Sequence, residues 1–502
     1  MFKYGLVSVS DKTGLLDFVK PLVEKGLKIV STGGTAELLK KNGIPVIHVS
    51  EVTGFPEVMD GRVRTLNPRI HMSLLARHYD RDDMALLKEH SLEPFDLVVG
   101  NLYPFEAALK ENLDDRELME YIDIGGPCLL RAAAKNYETI TVICDPADYK
   151  SVLDNNYDRK QLAAKVFSHI STYDSMIAQK LNESQDPGKD FSVGGKVVEE
   201  LRYGENPQQK AYWYRMPGSE SGLHDAEILQ GKQLSYNNIV DLEAASRTLV
   251  EFDEPCMVGV KHANPCGVGI GETSFEAASK CITSDPVSIF GGIIAINQTV
   301  DIEISKLLEN IFLECIVAPD FSADALGIFK KKKNLRLLRW KGIAKKSRTL
   351  EVKTIRGGFL VQNSDDVGGW NNDWKIIGEP PSLEIKSNLT FAWRVCAHLK
   401  SNAIAIAGGG KTLGLGMGQV NRVEAVEHAI QRKNTHHKDF KGDAVLASDA
   451  FFPFADSIEK INSSGIRWVI QPGGSVRDEE VIAKARECSI NMVLTGVRHF
   501  YH

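Results

Sequence analysis

Short apolar runs alternate with amphipathic segments from the start of the chain, and that alternation restricts the fold more than any other feature. YGLVSV (4–9) is followed by TGLLDFVKPLVEKG, in which Leu15, Phe18, Val19, Leu22 and Val23 share one helical face. LKIV (27–30) precedes STGGTAELLKKNG, where a glycine loop opens a helix that Gly43 closes. IPVIHV, DLVVGNLYPF (96–105) and TITVICD (139–145) supply further strands, with a helix over GGPCLLRAAAKNY (125–137) expected to start at Pro127. Strands separated by helices must cross over to pair, so the fold class is α/β with a mostly parallel sheet.

The pattern breaks at NESQDPGKDFSVGGK (182–196), a polar stretch rich in Gly, Ser and Asp that reads as a linker. A single core is not expected over 502 residues, so the break is taken as a domain boundary. Beyond it, CMVGV, SIFGGIIAI, CIVAP, AIAIAG, DAVLAS and IRWVIQ have the look of buried strands. No short-period repeat or low-complexity tract is visible.

A net charge of −6 and a pI near 6.2 give no footprint for general nucleic-acid binding. None of the eight cysteines forms a C-x-x-C pair, which points to reduced, buried thiols rather than a zinc ribbon or disulfide framework. MFKYGLVSVSDKTG has no long apolar core or cleavage site, and no stretch approaches the roughly 18 apolar residues of a membrane helix. A soluble, cytoplasmic protein is the expectation.

Several stretches carry polar groups suited to chemistry. Lys261 and His262 follow CMVGV and precede ANPCG, where Pro265 and Gly267 suit a type I turn. A neutral His can act as base while an adjacent Lys stabilises developing negative charge. STGGTA (31–36) is a candidate phosphate cradle, with Ser10, Asp11 and Lys12 after the first strand at the same sheet edge. GGGKTLGLGMGQVNR (408–422) ends its first part like a Walker A loop, but Ala405 stands where that motif needs Gly. The stretch reads instead as a loop holding Gly414, Gly416 and Gly418, leading into a helix whose amides face an anion. SDAFFPFADS (448–457) sets Phe451, Phe452 and Phe454 between Asp449 and Asp456, either as core or as a face for a flat heterocycle. His499 and His502 lack partner ligands for a metal. Between Asp324 and Glu351 lie only basic charges, Lys330 to Lys333, Arg336, Arg339, Lys341, Lys345, Lys346 and Arg348, read as a solvated surface.

In order along the chain stand SVSDKTG, STGGTA, VTGFPEVMDGRV, NLYPF, IDIGGP, RAAAKN, LRYGENPQQ, KHANPCG, FGGIIA, IVAPDF, KSNAI, GMGQVNR, SDAFFPF and QPGGS. With these motifs the chain closely resembles the bifunctional AICAR transformylase/IMP cyclohydrolase family of purine biosynthesis, over nearly its whole length. The resemblance implies a methylglyoxal-synthase-like parallel-sheet domain at 1–185, a linker at 186–197, and a transformylase domain of two cytidine-deaminase-like units at 198–502. It implies formyl transfer from 10-formyltetrahydrofolate to AICAR, then dehydrative closure of FAICAR to IMP, with no metal. The family forms homodimers with transformylase sites at the interface, and neither nucleic acid nor membrane is a partner.

By motif, Lys261 and His262 resemble the transformylase pair and Asn402 the amide that orients the formyl group. Arg202, Tyr203, Gly291, Glu314, Phe451 and Arg498 resemble the AICAR-holding set, and Arg422, Asp456, Ser475 and Val476 the folate contacts. In the N-terminal domain Ser10, Asp11, Lys12, Thr32, Gly33, Gly34, Thr35, Arg62, Arg64 and Thr65 would hold phosphate and ribose. Gly100, Asn101, Asp123 and Ile124 would meet the base, and Lys135 would move a proton with Tyr103 close by.

Five departures stand out. The family usually reads GRVKTLHP, whereas this chain has GRVRTLNPRIHMSLL, with Arg64 for Lys, Asn67 for His and Met72-Ser73 for Gly-Gly. Arg keeps the charge but cannot donate a proton near pH 7. Gly408 stands where Lys is common, and Ala455 where Arg is usual. Three readings follow: a bifunctional enzyme, a transformylase whose N-terminal domain cyclises slowly, or a folate- or AICAR-binding regulator without turnover. Lys261-His262 argues against the last.

Overall fold

Residues 2–59, 62–182, 186, 188–219, 221–346 and 350–502 are described in the computed structural model. Gly61 of GRVRT, residues 183–185 and 187 of the linker stretch, and Arg348 of the basic run lie outside them. The chain divides into two units, Met1–Lys196 with Met216–Glu220, and Val197–Arg215 with Ser221–His502.

In the first unit β1 (Tyr4–Ser8), β2 (Lys28–Ser31), β3 (Val46–His48), β4 (Leu97–Gly100) and β5 (Thr141–Ile143) form one parallel sheet, ordered β3-β2-β1-β4-β5. Strand alternation splits its core between two faces. Leu6, Val30, Val98 and Val142 pack with Ile70, Leu130, Ala133 and Ile170. Their neighbours Val7, Ile29, Val99 and Ile143 pack with Leu15, Phe18, Val19 and Leu39. Among its helices are α1 (Leu15–Glu24), α2 (Gly33–Lys41), α3 (Pro68–Leu75), α4 (Gly125–Lys135) and α5 (Arg159–Leu181). The strand order reverses at β1/β4, and in such sheets the crevice lies outside the carboxyl ends of those strands.

Two expectations need adjustment here. DLVVGNLYPF is strand only to Gly100; Pro104, with no N–H to offer a ladder, instead precedes a helical turn at Phe105–Ala108. α4 starts at Gly125, two residues before Pro127, because the first-turn N–H groups are unpaired in any helix and Pro is tolerated there.

The second unit carries the hairpin β6 (Lys196–Leu201)/β7 (Ala211–Arg215) and a 12-stranded sheet. After β8 (Glu227–Gln230) and α6 (Tyr236–Leu249) comes a hairpin, β9 (Cys256–Lys261) and β10 (Asn264–Ile270). Then follow α7 (Ser274–Ser284), β11 (Gly292–Ile296), α8 (Ile302–Leu308), β12 (Leu313–Ala318), α9 (Ala323–Phe329) and β13 (Arg336–Arg339). A separate hairpin, β14 (Leu350–Ile355) with β15 (Gly358–Asn363), and the edge strand β16 (Lys375–Ile377) intervene.

The same succession then repeats: α10 (Leu383–Cys396), β17 (Ile404–Gly408), β18 (Lys411–Gly416), α11 (Arg422–His436), β19 (Val445–Ser448), α12 (Asp456–Ser463), β20 (Trp468–Gln471), α13 (Asp478–Glu487) and β21 (Asn491–Leu494). Pairing repeats as well: an antiparallel hairpin, an antiparallel third strand, then two parallel ones. The copies join where β10 runs antiparallel to β18 at Gly269↔Lys411.

This fold corrects the reading of the glycine stretch. Gly414 and Gly416 lie in β18, not in a loop. A Cβ on either would stand 2.1 Å from Ala429 O or 2.0 Å from Ala425 O, so their bare backbones let α11 rest directly on the strand.

Candidate active sites

At the carboxyl ends of β1, β2 and β4 the first unit has a cleft of about 630 Å³. Its walls are tied together by side chains. Asn101 Oδ1 accepts the N–H groups of Ser10 (2.6 Å) and Asp11 (2.9 Å), while its Nδ2 donates to Asp11 O (2.8 Å). Thr35 Oγ1 donates to Val9 O and accepts Val9 N–H, fixing the start of α2 against the β1 loop. Sequence reasoning gave Asn101 to the base; here its carboxamide is a latch on the Ser10–Asp11 backbone. Gly100 backs onto Ser8 O and Leu130, beneath the cleft floor.

Ser10, Lys12, Thr32, Gly34, Thr35, Arg62, Arg64, Thr65, Asn101, Tyr103, Asp123 and Ile124 all line this cleft. Gly33 opens α2, and Arg64 Nη1 lies 2.8 Å from where its Cβ would be. The amides of the first turn and this guanidinium therefore face one spot, which suits a phosphate. Arg64 also lies 3.3 Å from Glu57 Oε2, and Arg62 pairs with Glu120. Asp11 is spent on Thr13, whose hydroxyl and N–H hold its carboxyl below the usual range.

Asp123 is the titratable group that the cleft perturbs. Burial pushes its carboxyl above the ordinary carboxylate value, against the N–H groups of Gly126 (2.8 Å) and Tyr103 and the charge of Arg64. Lys135 is absent from the cleft wall: it is exposed at the far end of α4, about 15 Å along the helix from Gly125. Asn67 has a local role, accepting Arg69 N–H as the N-cap of α3.

In the second unit the turn is not at Pro265–Gly267. Lys261 pairs with Asn264, leaving a two-residue loop, His262-Ala263, whose φ angles are +54° and +57°. Both central residues of a type I′ turn need positive φ, and that turn suits the twist of a hairpin. Pro265 and Gly267 sit one step on, at a register shift in β10. Lys261 Nζ donates to Phe290 O at 2.7 Å, beside Gly291, whose N–H donates to Phe312 O. Glu314 accepts from Asn238 Nδ2 at 2.8 Å, and Asp241 on the same helix accepts Ala263 N–H at 2.6 Å. These contacts gather Lys261, His262, Gly291 and Glu314 into one neighbourhood.

Asn264, which sequence reasoning passed over, joins this turn to the second copy. Its Nδ2 donates to His262 O and its Oδ1 accepts Lys400 N–H, each at 3.0 Å. Two residues on, Asn402 Nδ2 donates to Gln419 O at 2.8 Å, fixing the plane of its carboxamide. Beyond Gly269↔Lys411 the ladder fails: Val268 N–H is met by Thr412 Oγ1. There a cleft of about 260 Å³ opens, lined by Lys261, His262, Asn264, Cys266, Leu415 and Arg432 among others. Burial pushes the Cys266 thiol up to about 12, so it stays protonated and is no nucleophile.

The remaining predicted residues are dispersed. Arg422 is buried in an ion pair with Asp449, and the same Nη1 also donates to Ala403 O and Ser448 Oγ. Phe451 is partly exposed, and Asp456 opens α12, its Oδ1 accepting Ser457 N–H. Ser475 N–H donates to Asp478, and Val476 is fully exposed. Arg498 stacks on Phe500, and Arg202 stacks on Tyr203 while donating to its hydroxyl. Among the described residues, no group of three or more His, Cys, Asp or Glu is arranged to hold a metal ion, and no helix is long and apolar enough to cross a membrane.

Residues 133–432 match the family model described as the AICARFT/IMPCHase bienzyme, and residues 14–128 match the MGS-like domain. The chain is 47% identical over 515 residues to "Bifunctional purine biosynthesis protein PurH" of Thermoanaerobacter sp. (strain X514), with all of both chains covered. It is 48% identical over 516 residues to the protein of that name from Halalkalibacterium halodurans, again with all of both covered. With the Bacillus subtilis (strain 168) protein it shares 47% over 513 residues, covering 100% of this chain and 99% of the other.

Proposed function

The chain belongs to the AICARFT/IMPCHase bienzyme family, and from that premise we propose how its two clefts divide the work. The protein catalyses the last two steps of IMP synthesis: formyl transfer to AICAR, giving FAICAR, and ring closure of FAICAR to IMP. The observation that carries the assignment of residues is the His262-Ala263 turn, which brings Lys261 and His262 to one cleft wall.

In the transformylase half the donor is 10-formyltetrahydrofolate. The AICAR amine is a weak nucleophile because its lone pair delocalises into the imidazole and carboxamide. His262 takes a proton from it as nitrogen attacks the formyl carbon, and Lys261 stabilises the resulting oxyanion. The intermediate collapses by breaking the bond from carbon to N10 of the folate, whose nitrogen leaves protonated. Asn402 orients the formyl group. Gly291 and Glu314, with Arg202, Tyr203, Phe451 and Arg498, hold AICAR, while Asp456, Ser475 and Val476 meet the folate.

In the cyclohydrolase half, the α2 amides with Lys12, Arg62 and Arg64 take the phosphate, and Asp123 with Tyr103 meets the base. The carboxamide nitrogen attacks the formamide carbon and water leaves. Positioning accounts for much of this, with Asp123 as the proton-handling group inside the cleft. A part for Lys135 requires a second chain, in keeping with a homodimer; we place the enzyme in the cytoplasm. Arg64 favours a second reading in which ring closure is slow, since its guanidinium has no proton to give.

The test mixes purified protein with AICAR and 10-formyltetrahydrofolate and identifies products by chromatography and mass. IMP as end product supports both assignments. Accumulated FAICAR without IMP supports the second reading, and no product overturns the catalytic assignment altogether.

A further inference from the structure

The two copies in the large sheet solve the same turn differently. In β17/β18 Gly408 pairs with Lys411, and the two-residue loop is Gly409-Gly410, with φ of +61° and +75°. Glycine enters that region without penalty. The first copy puts His262 and Ala263 in the same places, where each Cβ crowds the following carbonyl. Left alone, this sequence would spend part of its time in other backbone conformations, with the imidazole pointing elsewhere.

Asp241 counteracts that. It lies on α6, which packs over β9, and its Oδ1 accepts Ala263 N–H at 2.6 Å while the carboxylate also faces the His262 N–H. Two adjacent N–H groups converging on one carboxylate is the arrangement that a left-handed turn presents. Burial raises the Asp241 carboxyl above its ordinary value, and these N–H groups with His262 pull it back. The second copy has Asn388 at the same distance before Gly408. That residue reaches Asp443 O instead, and its glycine turn needs no holder.

We propose that Asp241 is a positioning residue for formyl transfer, holding the His262-Ala263 turn in its left-handed form so that the imidazole meets the substrate amine. This rests on the assignment of His262 as the base. Asp241 touches no reacting atom; it acts through the backbone of the residue that does.

The experiment compares Asp241→Ala, Asp241→Asn, Asp241→Ala/Ala263→Gly and His262→Ala in the full-length enzyme, reading kcat, KM for the formyl donor and Tm. Asp241→Ala is expected to lower kcat about thirtyfold, equivalent to about 2 kcal/mol, with KM changed less than about threefold. Asp241→Asn keeps one acceptor oxygen and the shape, so kcat should fall only about fivefold. Ala263→Gly removes the Cβ penalty at the second turn position and should restore about fivefold of the loss in the Asp241→Ala background. Recovery of Tm without recovery of kcat would show a merely structural role and overturn the proposal, as would an unchanged kcat in Asp241→Ala. If Asp241→Ala does not fold, Asp241→Asn decides: a kcat equal to that of the unaltered enzyme overturns the proposal. Substantial transfer by His262→Ala would sink the assignment of the base instead, a separate failure.

Discussion

Gly416→Ala separates two accounts of the 408–422 stretch. The new Cβ would stand 2.0 Å from Ala425 O and 2.9 Å from Ala425 C, where ordinary contact begins at 3.4 Å. Backbone lies on both sides, so no rotamer change relieves the clash and α11 must retreat by about 1.4 Å. That movement opens a gap under Val426, fully buried, and draws Arg422 away from Asp449. Overpacking costs about 1–3 kcal/mol, and a rigid backbone contact belongs at the top of that range. For a unit of about 300 residues about 3 kcal/mol lowers Tm by about 5 °C. Gly414→Ala, at 2.1 Å from Ala429 O, should match it. Gly418→Ala meets nothing within 4 Å and has only its φ of +67° to overcome, so about 1 kcal/mol and a third of the shift are expected. Thermal unfolding of the three variants gives the ranking directly. If Gly416→Ala melts within about 1 °C of the unaltered protein while losing anion affinity, the contact is not as described and the loop reading returns.

His262→Ala should abolish formyl transfer while AICAR binding by calorimetry stays within about tenfold, or about 1.4 kcal/mol; retained transfer would mean that the base lies elsewhere. Arg64→Lys should raise ring-closure turnover measured with FAICAR alone, and no change would show that the chain already compensates for Arg64. Asp123→Asn keeps an acceptor for Gly126 N–H but cannot exchange a proton, so ring closure should fall. Burial raises the Asp123 carboxyl, so the folded state binds its proton more tightly than the unfolded chain. Stability from this group is therefore lost as pH climbs from the unfolded value through the folded one. The variant should melt higher than the unaltered protein at neutral pH, with the gap closing toward pH 4; a lower Tm at neutral pH would refute that sign.

The five strands of the first unit and β9, β11, β12, β17, β19 and β20 of the second were legible because an uninterrupted apolar run admits few alternatives once helices flank it. The β1, β2 and β4 loops were legible for the same reason, since a parallel sheet must put them at one edge. What escaped depended on contacts between distant segments. Gly414 and Gly416 look the same in sequence whether they line a loop or lie under a helix, and only the approach of Ala425 and Ala429 tells them apart. Pro265 and Gly267 advertise a turn, while the real one uses His262 and Ala263, residues that seldom take positive φ. Asp241 and Asn264 are ordinary polar residues until the fold brings backbone amides to them. The duplication was hidden because the copies share strand order and turn geometry but almost no residues at the turn.

That duplication explains why the Lys261–His262 cleft sits where it does. Each copy carries a hairpin on one side of its own sheet, and the copies join edge to edge through those hairpins, β10 on β18. Were the ladder complete, the junction would be closed main chain with no room for a ligand. It holds at Gly269↔Lys411, gives way at Val268, and leaves a wedge that reaches the His262 turn. One wall bears Lys261, His262 and Asn264; the other bears Leu413, Leu415, Met417 and Arg432. The first copy supplies the proton-handling pair and the second a wall of apolar side chains with Arg432 and His436, so neither copy alone contains the site. Asn264, bonded to His262 O on one side and Lys400 N–H on the other, ties the His262 turn to the second copy. The cleft is thus a property of the seam, and the sequence signals for it are divided between two stretches some 150 residues apart, KHAN and KSNAI through GMGQ.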